Sequence, residues 1–209
     1  AEGRNISHSL SAVPAMMIIK NRSGTTNWIV YHHKNTSAPA TEHLKLNLTD
    51  ATADDDSTWD DTAPTSSVFR VKSSSSVNGD GSNYIAYLFA EKQGYSKFGS
   101  YTGNGNADGT FIYTGFKPAF VMLKRTDSTA SWYIYDNKRD VFNAMTRNLF
   151  PNESSVEDNN TNNNFDFLSN GFKIRTVSGA RNASGGTYIY MAFAENPFTS
   201  SAGTPVTAR

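Results

Sequence analysis

Carboxylates gather twice in this sequence, at Asp54, Asp55, Asp56, Asp60 and Asp61, and again as Glu157 and Asp158 followed by Asn159, Asn160 and Asn162. Such loops offer hard oxygens to calcium, which takes about six to eight of them. Asp54, Asp56, Asp158 and Asn160 are the candidate metal ligands. The D-x-[DN]-x-[DN]-G alternation of a dedicated calcium loop is absent, and solvation alone is the plainer role for an acidic loop. Glu91 and Glu195 end two related strands. As a glycosidase pair they would have to flank one bond at about 5–9.5 Å, yet no second acid accompanies either. Ion pairing with Lys20 and Lys124 is the simpler expectation. His32 and His33 adjoin on an expected strand, so their side chains point to opposite faces and do not chelate one ion together. No Ser/His/Asp set, G-x-S-x-G elbow or phosphate-binding loop ahead of a helix is present, and we expect no catalytic site and no cofactor other than calcium.

Three tryptophans could serve recognition. Trp28 and Trp132 occupy equivalent positions in two related hairpins, where a ring could stack on the apolar face of a sugar; their duplication on strands favours a role as core anchors. Trp59 sits in ADDDSTWDD and has no counterpart. It is expected either as an exposed contact residue or as a plug over a sandwich edge. With it, Asp60, Arg125, Asp127, Arg139 and Asn182 are the exposed ligand-binding candidates, because arginine and aspartate pair well with sugar hydroxyls.

The elements that must position these residues come from a duplication. Pro14 to Lys34 matches Pro118 to Lys138 without a gap (118 − 14 = 104; 132 − 28 = 104), and TYIYMAFAE at Thr187–Glu195 answers NYIAYLFAE at Asn83–Glu91 at the same offset (188 − 84 = 104). Loop lengths differ slightly between the copies, and the corner SLSAVPAMM departs from GFKPAFVM. Alternating segments predict strands at GRNISHSL, Ala15–Arg22, Asn27–His33, Leu44–Leu48, Val68–Lys72 and Asn83–Glu91, each with a partner in the second copy. The stretch Val141–Leu149 could form a helical turn instead. The predicted fold is therefore all-β, a tandem duplication of a six-stranded sandwich of jelly-roll or lectin-like type, with one interleaved sandwich as the alternative. The expected boundaries are 1–95 for the first repeat, with a joint over 92–109, then 96–198 for the second and an extended tail over 199–209.

Composition limits the partners. Nineteen basic residues balance 19 acidic ones, so no excess of positive charge favours nucleic acid. The longest apolar run, Ala12–Ile19, is too short for a membrane span. With no cysteine in the chain, disulfides and thiol chemistry are excluded.

The pieces YTGNG, GFKPAFVMLKRT, WYIYDNKRD, FDFLSNGFKIR and TYIYMAFAENPF, in this order, resemble a repeated β-domain of tail-fibre and related virion proteins of tailed bacteriophages from marine and freshwater bacteria. ISHSL, NYIAYLFAE and GYSKFGSYTGNG extend the resemblance over nearly the whole chain. It implies an extracellular virion protein that attaches to a host cell-surface glycan or protein, self-associates, often as a trimer, and has no catalytic motif. A purely architectural, self-assembling protein is the alternative expectation, and a glycan-cleaving enzyme a more remote one.

Overall fold

A computed structural model of the chain describes residues 2–199 and 205–206. The chain divides into two units, Ala1–Ala90 and Glu91–Arg209. The first contains β1 (Arg4–Ser7), β2 (Met16–Asn21), β3 (Ile29–His32), β4 (Glu42–Lys45), β5 (Ala53–Asp54), the short helix α1 (Asp56–Trp59), β6 (Val68–Val71), α2 (Ser75–Asn78) and β7 (Tyr84–Phe89). The second contains β8 (Ser96–Thr102), β9 (Phe111–Tyr113), β10 (Pro118–Arg125), β11 (Trp132–Asp136), β12 (Arg147–Asn148), β13 (Asp158–Asn159), β14 (Phe165–Leu168), β15 (Gly171–Ile174), α3 (Gly179–Asn182) and β16 (Thr187–Ala194). A last short pair joins Phe198–Thr199 to Pro205–Val206, and the rest of the expected tail, 200–204 and 207–209, lies outside the described residues.

Each unit opposes a large antiparallel sheet to a smaller one, as a β-sandwich does. In the first the orders are β5-β4-β3-β2-β7 and β1-β6; in the second they are β11-β10-β16-β8 and β14-β15-β9. Every sheet draws its strands from one unit, which decides for a tandem and against an interleaved sandwich. The duplicated hairpins share their register: Met17 faces Tyr31 where Val121 faces Tyr135.

Period-two alternation puts one face of each strand into the core. In the first unit Met17 and Ile19, Ile29 and Tyr31, and Phe69 and Val71 meet there. In the second, Tyr135 stacks on Phe165 with ring centroids 4.3 Å apart, and Phe165 stacks on Phe172 at 5.1 Å. The core expectation for Trp132, 1% exposed, holds, whereas Trp28 is only half-buried.

Several expectations need correction. Leu44–Leu48 is not one strand: β4 ends at Lys45, and the chain turns because the Asn47 side chain accepts from Trp28 N–H and donates to the Asn27 side chain. The stretch Val141–Leu149 forms no helix and instead contributes β12. The expected joint, 92–109, contains β8, an edge strand of the second unit. His33 lies beyond the end of β3, so the His32 and His33 rings meet edge-on at 5.5 Å rather than facing apart.

Trp59 is not exposed. It is 1% exposed, packs edge-on to Tyr31 at 5.8 Å, and donates its indole N–H to the Glu42 carbonyl at 2.9 Å. The carboxylates around it face water, while α1 turns the ring inward as a plug. Asp55 caps that helix by accepting from Ser57 N–H, and hydrogen bonding from the Ser57 side chain, then from its N–H, holds the Asp55 carboxyl below its usual range. We predict that Trp59→Ala destabilises the first unit by about 3–5 kcal/mol, as large buried aromatics do. Urea unfolding of the full chain measures this; a change within about 0.5 kcal/mol would match a surface residue instead.

Candidate functional site

The residues singled out from the sequence fall into three places. Asp60 ends α1 with φ of 54° and holds Arg70 and, at 3.2 Å, Lys72. The bond from Arg70, followed by that from Lys72, keeps its carboxyl below the usual range. Arg139 lies just beyond β11, between Asp136 and Glu157. Arg125, Asp127 and Asn182 are brought together around α3.

There they serve as framework. Arg125 grips Asp127 through two parallel bonds of 2.9 and 3.0 Å and donates to the Gly179 carbonyl at 2.9 Å. Asp127 also accepts from Thr187 N–H. Asn182, expected to be exposed, is fully buried: its amide donates to the carbonyls of Thr176 and Asn106 and to the Asn104 side chain, and its oxygen accepts from Asn104 N–H. A turn sequence, GARNASGG, placed it at the surface; the approach of 104–106 buries it.

Two of the candidate metal ligands have other partners. Asp56 pairs with Lys72 at 2.7 Å, and Asn160 accepts from Asn162 N–H. Asp54 and Asp158 lie on β5 and β13. Among the described residues, no group of three or more His, Cys, Asp or Glu could hold an ion. Nor do the strand-end glutamates pair as expected. Glu195 binds Lys117 at 2.7 Å and the Asn137 amide, Glu91 binds Lys97 and Phe98 N–H, and Lys20 donates to the carbonyls of Gly24 and Thr26. His43 is buried, and that burial lowers its basicity.

A cavity of about 310 Å³ opens at the rim of the second unit, between the turn 161–164, the segment 175–178 that leaves β15, and Ala107. Arg175 N–H donates to the Asn164 carbonyl, joining the two walls. Thr176 donates its hydroxyl to the Asn162 carbonyl and accepts from Ser178 N–H. The Arg175 guanidinium spans the carboxylates of Asp108 and Asp166, each at 3.5 Å, and Val177, 65% exposed, adds an apolar surface. The side-chain oxygen of Asn164 is buried without a hydrogen-bond partner. Such an acceptor is costly unless a ligand or water satisfies it.

This set of groups, a guanidinium, hydroxyls and a small apolar wall, suits a neutral, hydroxyl-rich ligand. Among the described residues lining the cavity there is no carboxyl group. The first unit has the same framework there: Lys72 N–H bonds the Thr58 carbonyl as Arg175 N–H bonds that of Asn164, and Trp59 packs on Tyr31 as Phe165, the next residue, stacks on Tyr135. Sequence reasoning pointed to the Asn-rich loop but missed Arg175 and Asn164. The usable signal was the change from DSTW to TNNN in front of matching strands. A buried arginine was missed as well: Arg181, 4% exposed, donates to the Tyr135 hydroxyl at 2.8 Å and lies 4.3 Å over the Tyr133 ring.

Asp108 at the cavity edge accepts from Lys173 at 2.6 Å, and this bond, more than Arg175, holds its carboxyl below the usual range. With a depressed folded pKa, the pair is intact above the ordinary carboxylate pKa of about 3.9 and is lost as pH falls through the folded value. A carboxyl-detected NMR titration should place the Asp108 midpoint below about 3.9, and Lys173→Met should move it upward. An unchanged midpoint in the variant would refute the assignment of cause.

No curated protein and no solved structure matches this chain. Residues 1–197, covering both units, match a family described as "Domain of unknown function (DUF7483)", and the chain belongs to that family.

Proposed function

We propose that the protein is a non-enzymatic attachment module which recognises a surface glycan through the rim cavity of its second unit. The observation that carries this reading is the rim cavity of about 310 Å³ itself, lined by Arg175, by Thr161, Thr176 and Ser178, and by the apolar Val177. Sugars supply hydroxyl acceptors for a guanidinium and hydroxyl partners for threonine and serine, while Val177 can cover an apolar ring face. The absence of a carboxyl group among the described lining residues favours binding over hydrolysis, which needs a pair of them. Resemblance of the sequence to tail-fibre and virion domains of bacteriophages supports a place on a virion surface, with a host-cell glycan as the ligand.

The test is a glycan array probed with the full chain. Selective binding is expected, and both Asn164→Ala and Arg175→Ala should weaken it by about tenfold or more, as loss of a hydrogen bond to a charged or otherwise unsatisfied partner does. Both variants should keep the wild-type unfolding midpoint within a few degrees, because neither side chain packs in the core. Wild-type binding that survives both substitutions would move recognition elsewhere, and shortening of the glycan on incubation would make the protein an enzyme.

A further inference from the structure

The smaller sheet of the second unit turns Ile112, Phe165, Phe167, Phe172 and Ile174 into the core. By alternation the intervening residues face outward. They stand in two rows across the strands: Tyr113, Gly171 and Leu168, then Phe111, Lys173 and Asp166. Phe111 is 45% exposed and Tyr113 64%. The first unit shows that the frame does not need aromatic residues there. In the corresponding places β1 carries Asn5, opposite Arg70, and Ser7, opposite Val68, and both are exposed. Two large apolar rings on a wet sheet face are therefore an addition made in one unit, of the sort that marks a binding surface.

Each ring lies beside a glycine. A Cβ at Gly171 would meet the Ile112 carbonyl and come within 3.1 Å of the Phe111 ring. The atoms nearest a Cβ at Gly115 are the hydroxyl and ring of Tyr113, at 3.6 and 3.8 Å. Phe111 thus leans across bare backbone where the first unit has Val68, and Tyr113 leans over a turn whose φ of 83° itself favours glycine. A ring laid down in this way keeps one face on the chain and gives the other to solvent. Such a face is what the apolar C–H side of a sugar ring stacks on.

The aromatic surface leads into the rim cavity. Arg175 follows Lys173 by two residues and shares its face, as its 3.5 Å contact with the outward-facing Asp166 shows. From the row of Tyr113 and Gly171 to Arg175 (175 − 171 = 4) the distance along the strand is about 13 Å. The charges on the way are matched. Lys173 and Arg175 both meet Asp108, at 2.6 and 3.5 Å, and Arg175 also meets Asp166, so two cations stand against two carboxylates. A polyanion would therefore find no surplus of positive charge among the described residues of this face. We propose that the face is a track for a linear, neutral polysaccharide, with one sugar residue in the rim cavity and its neighbours along the chain stacked on Phe111 and Tyr113. The proposal rests on the glycan reading of the cavity and narrows its ligand to a chain.

The probe is an array of linear oligosaccharides in homologous series, neutral and acidic, each graded from monosaccharide to octasaccharide and read with the full chain. Neutral series are expected to bind, with affinity rising about tenfold from disaccharide to hexasaccharide, the gain that two stacking contacts bring. Phe111→Asn together with Tyr113→Ser, which installs the residues of the first unit, should bring the long members down to the strength of the short ones. Arg175→Ala should instead weaken every length by a similar factor. The C–H protons of a bound neutral hexasaccharide should also shift upfield over the two rings, a reading that needs no substitution. Binding that ignores chain length, a rise that survives the double substitution, absence of the upfield shift, or preference for an acidic series would each overturn the track while leaving the cavity as a site for a short glycan. Failure of every series to bind would remove the cavity reading together with the track.

Discussion

A tyrosine hydroxyl at the start of β7 and of β16 holds one corner of each unit in place. Tyr188 donates to the Gly179 carbonyl at 2.8 Å and accepts from Ala183 N–H at 2.7 Å; Tyr84 makes the same two bonds with Ser75 and Gly79. The helices so clamped have four residues each, too few to persist by themselves, since helix nucleation is unfavourable. Tertiary bonds must supply what propagation cannot. Burial raises the pKa of Tyr188, so the donor proton is retained throughout the neutral range. A second support reaches the same carbonyl by different chemistry, the Asn21 amide in one unit and the Arg125 guanidinium in the other. The requirement lies in filling the carbonyl, and either donor meets it.

With this corner fixed, the units differ where the frame allows it. In front of β6 the chain makes α1 and sends Trp59 inward, and Asp60, Arg70 and Lys72 seal the surface above. In front of β14 it makes a turn of asparagines that keeps the backbone bond to the strand exit and sends Phe165 inward onto Tyr135, with the rim cavity beside it. At the opposite end of the frame β16 carries Tyr190 against Gly99, whereas β7 carries Ala86 in the equivalent place.

Much of this was legible in the sequence. Alternation and a constant offset located the hairpins, their register and the strands that answer each other, because period-two burial leaves its mark on every strand it governs. Side-chain direction in loops was not legible. Trp59 among five aspartates reads as exposed until α1 points the ring at Tyr31, and Asn182 in a glycine-rich turn reads as exposed until residues 104–106 fold over it. Glu195 was paired by symmetry with a lysine two strands' length away, although Lys117 lies beside it. The cavity depends on what three separate segments leave unfilled, and no local pattern of residues encodes a vacancy of that kind.

Among the described residues β16 is bonded to both β10 and β8, and β7 to β2, and amide hydrogen exchange of the full chain measures that difference most directly. Tyr188, Tyr190 and Ala192, bonded to β8, should exchange only through opening of the sheet. Tyr84, Ala86 and Leu88, facing outward from β7, should exchange orders of magnitude faster, while Ile85 and Tyr87, bonded to β2, stay protected. Equal protection at the two sets of outward amides would show that β7 already has a neighbour and would contradict the account.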